Sequence, residues 1–128
     1  MSQERTIKSF TDLNTWQEGH KLVVLIYALT KAFPKEEAFG LTNQLRRAAV
    51  SVTSNIAEGF SRQTAADRIH FYIMSQGSLT EAQNQVLVAR DVGYLSNRAF
   101  QELAAQTVKA HKLLTGLIKS TRQRGSLS

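Results

Sequence analysis

Apolar side chains recur every three or four residues through most of this chain, which is the spacing of one face of an α-helix. Breaks between Pro34 and Gly40, between Gly59 and Thr64, and at Gly93 divide the pattern into four segments, and Gly93 fits the left-handed position just past a helix end. Short connections favour an all-α fold, an antiparallel up-down-up-down four-helix bundle. The expected helices span about residues 12–31, 41–60, 65–92 and 97–121, and a frayed tail spans residues 122–128.

The first predicted helix is apolar on more than one side. Thr11 or Asp12 is expected to cap its start, and Phe33-Pro34 to end it, because proline disfavours helical geometry in the preceding residue. The segment 22–29 is apolar almost all round, and one bundle core covers one face, so a second interface is expected. The fourth helix has a regular heptad stripe, formed by Phe100, Leu103, Thr107, Ala110, Leu114 and Leu117.

A stripe of polar residues runs beside the apolar face of the second helix, and a shorter one occurs on the third. An unpaired buried polar group costs about 1–3 kcal/mol, so the stripes predict hydrogen bonds between the two helices. Gly77 is expected to allow a close backbone approach there, whereas Gly59 is expected to weaken the end of the second helix. We call this set the polar seam, and it comprises Gln44, Ser51, Asn55, Glu58, Ser78 and Glu81.

Two interpretations of the polar seam stay open on the sequence alone. The first is a structural network that fixes the register of the two helices, with Arg47 or Arg62 as counter-charge. The second is a small-molecule pocket lined by Asn55, Glu58 and Glu81.

Composition narrows the class of protein. The 128 residues form one expected domain, 1–128, and 42% hydrophobic and 20% charged residues are typical of soluble globular proteins. The absence of cysteine excludes disulfides and thiol catalysis. The opening residues lack a signal-peptide pattern, and the longest apolar run falls short of the ~20 residues of a membrane span. We therefore expect a cytoplasmic protein that does not enter membranes.

Patterns that carry catalysis are missing. A di-iron bundle site needs Glu-x-x-His motifs, and no histidine stands three residues after Glu58 or Glu81. The three histidines lie singly on different predicted helices, without the spacing of metal ligands. Nucleophile and phosphate-loop motifs do not occur either. The expectation is a protein that is not an enzyme and needs no metal or cofactor.

Positive charge is concentrated after the first helix. Residues 1–40 carry five basic and five acidic side chains, whereas residues 41–128 carry eleven basic and five acidic ones, which accounts for the net charge of +6. A polyanionic partner, RNA or DNA, fits this excess, and a merely solubilising surface is the alternative. The candidate phosphate contacts are Arg46, Arg47, Arg62, Lys109, Lys112, Lys119 and Arg122.

Several separated motifs, in order along about residues 8–120, resemble a bacterial family of small four-helix bundles. This is the family encoded in the intervening sequences of 23S ribosomal RNA genes. The matching residues are Phe10-Thr11-Asp12-Leu13, Trp16-Gln17, Ile26-Tyr27, Phe33-Pro34, Phe39-Gly40-Leu41, Gln44-Leu45-Arg46-Arg47-Ala48-Ala49, Ser51, Asn55-Ile56-Ala57-Glu58-Gly59, Gly77-Ser78-Leu79-x-Glu81 and Gly93-Tyr94-Leu95.

The resemblance implies a left-handed antiparallel bundle assembled as a homopentamer, which would account for the doubly apolar first helix. The chain is also similar to the accessory proteins of diversity-generating retroelements, which are basic pentamers that bind nucleic acid and a reverse transcriptase. A non-enzymatic, oligomeric accessory protein that binds RNA or DNA is therefore expected, with a reverse transcriptase as the expected kind of protein partner. The alternative is a protein–protein scaffold or adaptor with no direct nucleic-acid role.

Overall fold

The computed structural model describes residues 6–127, with side chains described as far as Gly125. Residues 1–5 and 128 of the predicted domain lie outside this range. Within it the chain forms four helices and no strand, which confirms the expected all-α four-helix bundle. Short 3-10 turns at Phe10–Asp12 and Lys35–Glu37 precede the first two helices. The helices are α1 (Asn14–Thr30), α2 (Leu41–Ser61), α3 (Ala65–Asp91) and α4 (Asn97–Leu127).

One apolar core holds the helices together. Helix α1 packs against α2 and α4, and α3 also packs against α2 and α4, so every helix turns one face inward. No helix within residues 6–127 is long and apolar enough to cross a membrane. The largest fully buried side chains are Leu22, Ile26, Leu45, Ile56, Tyr72, Leu79, Leu103 and Leu114.

The start of α1 differs from its prediction. Ser9 caps a 3-10 turn, and Asp12 completes a capping box by accepting a 3.1 Å hydrogen bond from the Ser9 N–H. Leu13 then adopts an extended conformation, and α1 begins at Asn14 without a side-chain cap. The sequence predicted that Thr11 or Asp12 would cap α1. Neither does, because the Asp12 carboxylate accepts its hydrogen bond from Ser9 and α1 starts after Leu13.

Two glycines allow helices to approach closely, and they are not the ones that the sequence indicated. A Cβ atom built on Gly19 would lie 3.2 Å from Thr53 Cγ2, and one built on Gly59 would lie 2.7 Å from Tyr72 Cε1. Gly59 therefore permits the contact between α2 and α3 instead of weakening α2, which continues to Ser61. The prediction of a close backbone approach at Gly77 is wrong for this subunit, since a Cβ atom built there would meet no described atom within 4 Å.

Helix α4 continues past residue 121, where the sequence predicted that the chain would fray. Its buried stripe shifts from Leu114 to Ile118 and Thr121, with Leu117 only half buried. This shift follows from the 3.6-residue repeat of a straight helix, which drifts against a seven-residue pattern. Near the end of α4, a Cβ atom built on Gly125 would lie 2.6 Å from Ala65 Cβ. Packing against the start of α3 thus explains the ordered helix to Leu127.

Candidate nucleic-acid interface

Two predicted phosphate contacts lie on the outer face of α4. Lys112 and Lys119 are two helical turns apart, so they project from the same side, and both are exposed. Leu114 and Ile118 hold the opposite face of α4 against the core. Neither lysine has an ion-pair partner among the described residues. Arg122, one turn beyond Lys119, is also exposed.

The Arg46 side chain contacts α1 and is not free to bind phosphate. Its Nε donates a 2.8 Å hydrogen bond to Thr30 Oγ1, and its guanidinium lies over the Tyr27 ring, 4.6 Å from the centroid. The side chain is half buried between α1 and α2. Cation–π contacts of this kind contribute about 0.5–1 kcal/mol at exposed sites. Arg46 therefore links two helices, whereas the neighbouring Arg47 is exposed.

Arg62 lies at one end of the bundle beside two arginines that the sequence interpretation missed. Arg62 pairs with Glu58 at 2.9 Å, and its guanidinium lies over the Phe71 ring. Arg68 Nε donates a 2.7 Å hydrogen bond to the Arg62 carbonyl oxygen, and Arg68 and Arg124 line the same clefts. We call Arg62, Arg68 and Arg124 the basic end. Only the packing of the end of α4 against the start of α3 brings Arg124 near Arg68, and spacing along a single helix does not indicate such a pair.

Lys109 takes part in a network that joins α1 to α4. The buried Glu18 carboxylate accepts hydrogen bonds from Lys21 Nζ at 2.9 Å and from Gln106 Nε2 at 3.2 Å, and Lys109 Nζ lies 3.3 Å away. Gln106 Nε2 also donates to the Glu18 carbonyl oxygen at 2.8 Å. The hydrogen bond from Lys21, followed by that from Gln106, lowers the pKa of Glu18 from 4.5 to about 2.

The Glu18 network predicts a specific dependence of stability on pH. Because the folded-state pKa lies below the ordinary value, the ionised carboxylate stabilises the fold above pH 4.5, and this contribution disappears as the pH falls through about 2. Glu18→Gln should lower the free energy of unfolding at pH 7 by about 1–2 kcal/mol, since both lysines are solvent-screened. Urea titrations of both proteins between pH 7 and pH 2 measure this difference.

The difference between wild type and Glu18→Gln should be constant above pH 4.5 and should shrink towards pH 2. The exposed Glu36→Gln serves as the control for removing one carboxylate, and it should behave like wild type throughout. An equal effect of both substitutions at every pH would contradict the network.

The polar seam is partly present and lies at the surface. Ser51 and Ser78 meet as expected, since their hydroxyl groups share a 2.8 Å hydrogen bond across α2 and α3. Asn55 Nδ2 donates to the Ser51 carbonyl oxygen at 2.9 Å and to the Ser51 hydroxyl at 3.1 Å. All three side chains are half buried. This inner part of the seam links the two helices.

The remaining seam residues do not enter a shared network. Glu58 is exposed and its carboxylate pairs with Arg62, so it does not meet α3 as expected. Glu81 is exposed and accepts a 3.2 Å hydrogen bond from Gln85 Nε2. Gln44 and Arg47, also exposed, line an open cleft of about 360 Å³ with Ser51, Ser78 and Glu81. The expected small-molecule pocket does not form around Asn55 and Glu58, which do not line that cleft.

Residues 6–127 contain no group of three or more histidine, cysteine, aspartate or glutamate side chains placed to hold a metal ion. Among the predicted phosphate contacts, the structure brings Lys112, Lys119 and Arg122 together on one helix. Arg46 and Lys109 are drawn into contacts with α1.

Comparisons with known proteins agree with this architecture. The family described as 23S rRNA-intervening sequence protein matches residues 11–116. A crystal structure of a protein with unknown function from the S23 ribosomal protein family of Bacteroides thetaiotaomicron is 21% identical, with a TM-score of 0.76. The match covers 82% of this chain and 98% of that one, and at this identity it shows the fold alone. A comparison with curated proteins finds no match.

Proposed function

Because the chain belongs to the 23S rRNA-intervening sequence protein family, we propose that it is a non-enzymatic accessory protein that binds nucleic acid through a basic surface. The observation that carries this proposal is the position of the unpaired positive charge. Lys112 and Lys119 point outward without acidic partners among the described residues, and Arg68 and Arg124 add positive charge at the basic end. Lysine and arginine side chains so placed bind phosphates and release condensed counterions.

Contacts of this kind recognise the phosphate backbone and do not distinguish one base sequence from another. Lys112, Lys119 and Arg122 would follow the backbone along α4, while Arg62 contributes at the end of the bundle. Arg46 and Lys109 support the surface indirectly, because their contacts with α1 fix the neighbouring helices. The proposed interface is therefore smaller than the set of basic residues that the sequence indicated.

We also propose that subunits assemble as a homo-oligomer, a pentamer by family resemblance. Two apolar patches on different parts of the subunit support this assembly. Val24 on α1 is 56% exposed beside a largely apolar cleft of about 420 Å³ between α1 and α4. Leu87 on α3 and Val108 on α4 are exposed around a second cleft. Two different patches are what a head-to-tail ring requires, since each copy offers one and receives the other.

An antiparallel up-down-up-down arrangement is part of the same proposal. On α2 and α3, Ser51 contacts Ser78, whereas the later Gly59 contacts the earlier Tyr72. Residue numbers that rise on one helix while they fall on its neighbour support opposite directions. The same reversal relates α1 to α2 and α4, through the pairs Gly19–Thr53, Thr30–Arg46, Thr15–Leu113 and Glu18–Gln106.

The salt dependence of binding tests the proposed function. Fluorescence anisotropy with labelled RNA and DNA duplexes should give a linear fall of log affinity with log salt, with a slope of about −3 or steeper for three or more phosphate contacts. Native mass, measured on the same samples, reports the assembly. Absence of binding at low salt, or a slope near zero, would contradict the proposal.

A protein–protein scaffold remains the second candidate function, and the exposed apolar patches favour it. Under this alternative the patches bind a protein partner, such as the reverse transcriptase that the resemblance suggests, and the basic surface serves solubility. Such a partner would stay bound when the α4 lysines are reversed in charge, whereas a partner that is held through nucleic acid would be lost.

A further inference from the structure

Tyr72 has its ring in the core and its hydroxyl group at the wall of a surface cleft. It is 1% exposed, and its ring packs where Gly59 leaves room on α2. No hydrogen bond to its hydroxyl group exists among the described residues, although Tyr72 lines a cleft of about 290 Å³. The hydroxyl oxygen is not one of the fully buried side-chain atoms that lack a partner, so it reaches the open space of the cleft. The cleft therefore presents a donor with no acceptor from the described residues.

Two arginines line the same cleft. Arg68 and Arg124 also border a second cleft of about 270 Å³, so both side chains contribute to the walls of the two spaces. Arg68 is held in place, since its guanidinium lies over the Phe60 ring and its Nε donates to the Arg62 carbonyl oxygen. In the described part of the chain, no carboxylate side chain lines either cleft. Among the described residues, both clefts therefore carry positive charge.

Tyr72 shares this cleft with both arginine side chains. Burial raises the pKa of Tyr72, and the charges of Arg68 and Arg124 act in the opposite direction. The hydroxyl group stays protonated at neutral pH, so it can donate a hydrogen bond to an anion. One donor beside two guanidinium groups suits a tetrahedral oxyanion with two negative charges.

We propose that Arg68, Tyr72 and Arg124 form a binding site for one phosphomonoester group. The group would come from inorganic phosphate or from the 5′-phosphorylated end of a nucleic acid, and only the second source rests on the proposed function. Arginine pairs with two phosphate oxygens at once, and the apolar side chains that line the cleft, Ile7, Leu13, Phe60 and Leu117, lower the effective dielectric constant around the charges.

Titration of the full-length protein with inorganic phosphate, at constant ionic strength in chloride, tests the site directly. We expect saturable binding and a rise in melting temperature. Tyr72→Phe keeps the ring in place and removes only the hydroxyl, so it should weaken phosphate binding about tenfold while the melting temperature in chloride is retained. Arg124→Gln should weaken it at least as much, whereas Arg98→Gln, an equal loss of charge elsewhere, should not.

Oligonucleotides with and without a 5′-phosphate then identify the source. A preference of wild type for the phosphorylated strand that Tyr72→Phe abolishes assigns the site to nucleic-acid ends. Equal affinity for both strands, with Tyr72-dependent binding of inorganic phosphate, assigns it to free phosphate. No binding of inorganic phosphate, or unchanged binding by Tyr72→Phe, overturns the site, and a steep salt dependence with both strands would still leave the proposed function intact.

Discussion

Replacing Gly59 by alanine is expected to destabilise the protein by about 2 kcal/mol, although alanine is the better helix former. The new Cβ would lie 2.7 Å and 2.9 Å from two ring atoms of Tyr72 and 3.1 Å from the Arg68 carbonyl oxygen. Neither neighbour is the mobile end of a side chain, since Tyr72 is buried in the core. Denaturant titration and thermal melting measure the loss, and the melting temperature should fall by about 5–10 °C.

Gly116→Ala provides the matched control for this substitution. Gly116 also lies within a helix, but a Cβ atom there would meet no described atom within 4 Å. The same chemical change should therefore stabilise the subunit by about 1 kcal/mol, through helix propensity alone. If Gly59→Ala lowers the free energy of unfolding and Gly116→Ala raises it, the effect of packing is distinguished from that of helix propensity. Equal stabilisation of both would show that α2 and α3 do not approach closely at Gly59.

Reversing two charges on α4 is expected to have the largest effect on nucleic-acid binding. The double variant Lys112→Glu, Lys119→Glu removes two proposed phosphate contacts and adds two repulsive charges on the same face. Affinity at low salt should fall by about 10- to 100-fold, and the slope of log affinity against log salt should become shallower by about 2. Anisotropy titrations at four or more salt concentrations measure both quantities.

The control variant carries the same change in net charge elsewhere. Lys31→Glu, Lys35→Glu alters two exposed lysines from the part of the chain whose charges balance. It should reduce affinity only modestly, because net charge changes while the α4 surface is intact. If the two double variants weakened binding equally, the affinity would depend on the net charge of the protein and not on a particular surface of α4.

Local signals explain why the helices could be predicted from the sequence. Pro34 and Gly93 mark helix ends through their own backbone preferences, and Gly93 indeed adopts φ = 87°. The end of α4 could not be predicted in this way. It depends on Gly125 packing against Ala65, two residues far apart in the chain, and only the folded arrangement brings them together.

The candidate site was less predictable than the fold, for a related reason. Helical spacing predicts which charged side chains share an exposed face, and it correctly predicted that Lys112 and Lys119 lie on one exposed face of α4. Helical spacing does not show which charged side chains bond to a neighbouring helix. Arg46 was therefore predicted to contact phosphate, although its side chain donates a hydrogen bond to Thr30 on α1. The pairing of Ser51 with Ser78 could be predicted because both residues lie on the facing sides of consecutive helices.

The basic end has a kinetic consequence. In the proposed cyclic assembly every copy repeats its charges about one axis, so the arginines at the ends of the subunits would form a closed ring of positive charge. A ring of this kind steers an approaching polyanion before contact, which raises the rate of association more than the lifetime of the complex. Strands would then be captured quickly and in a preferred orientation, and at higher ionic strength capture would slow.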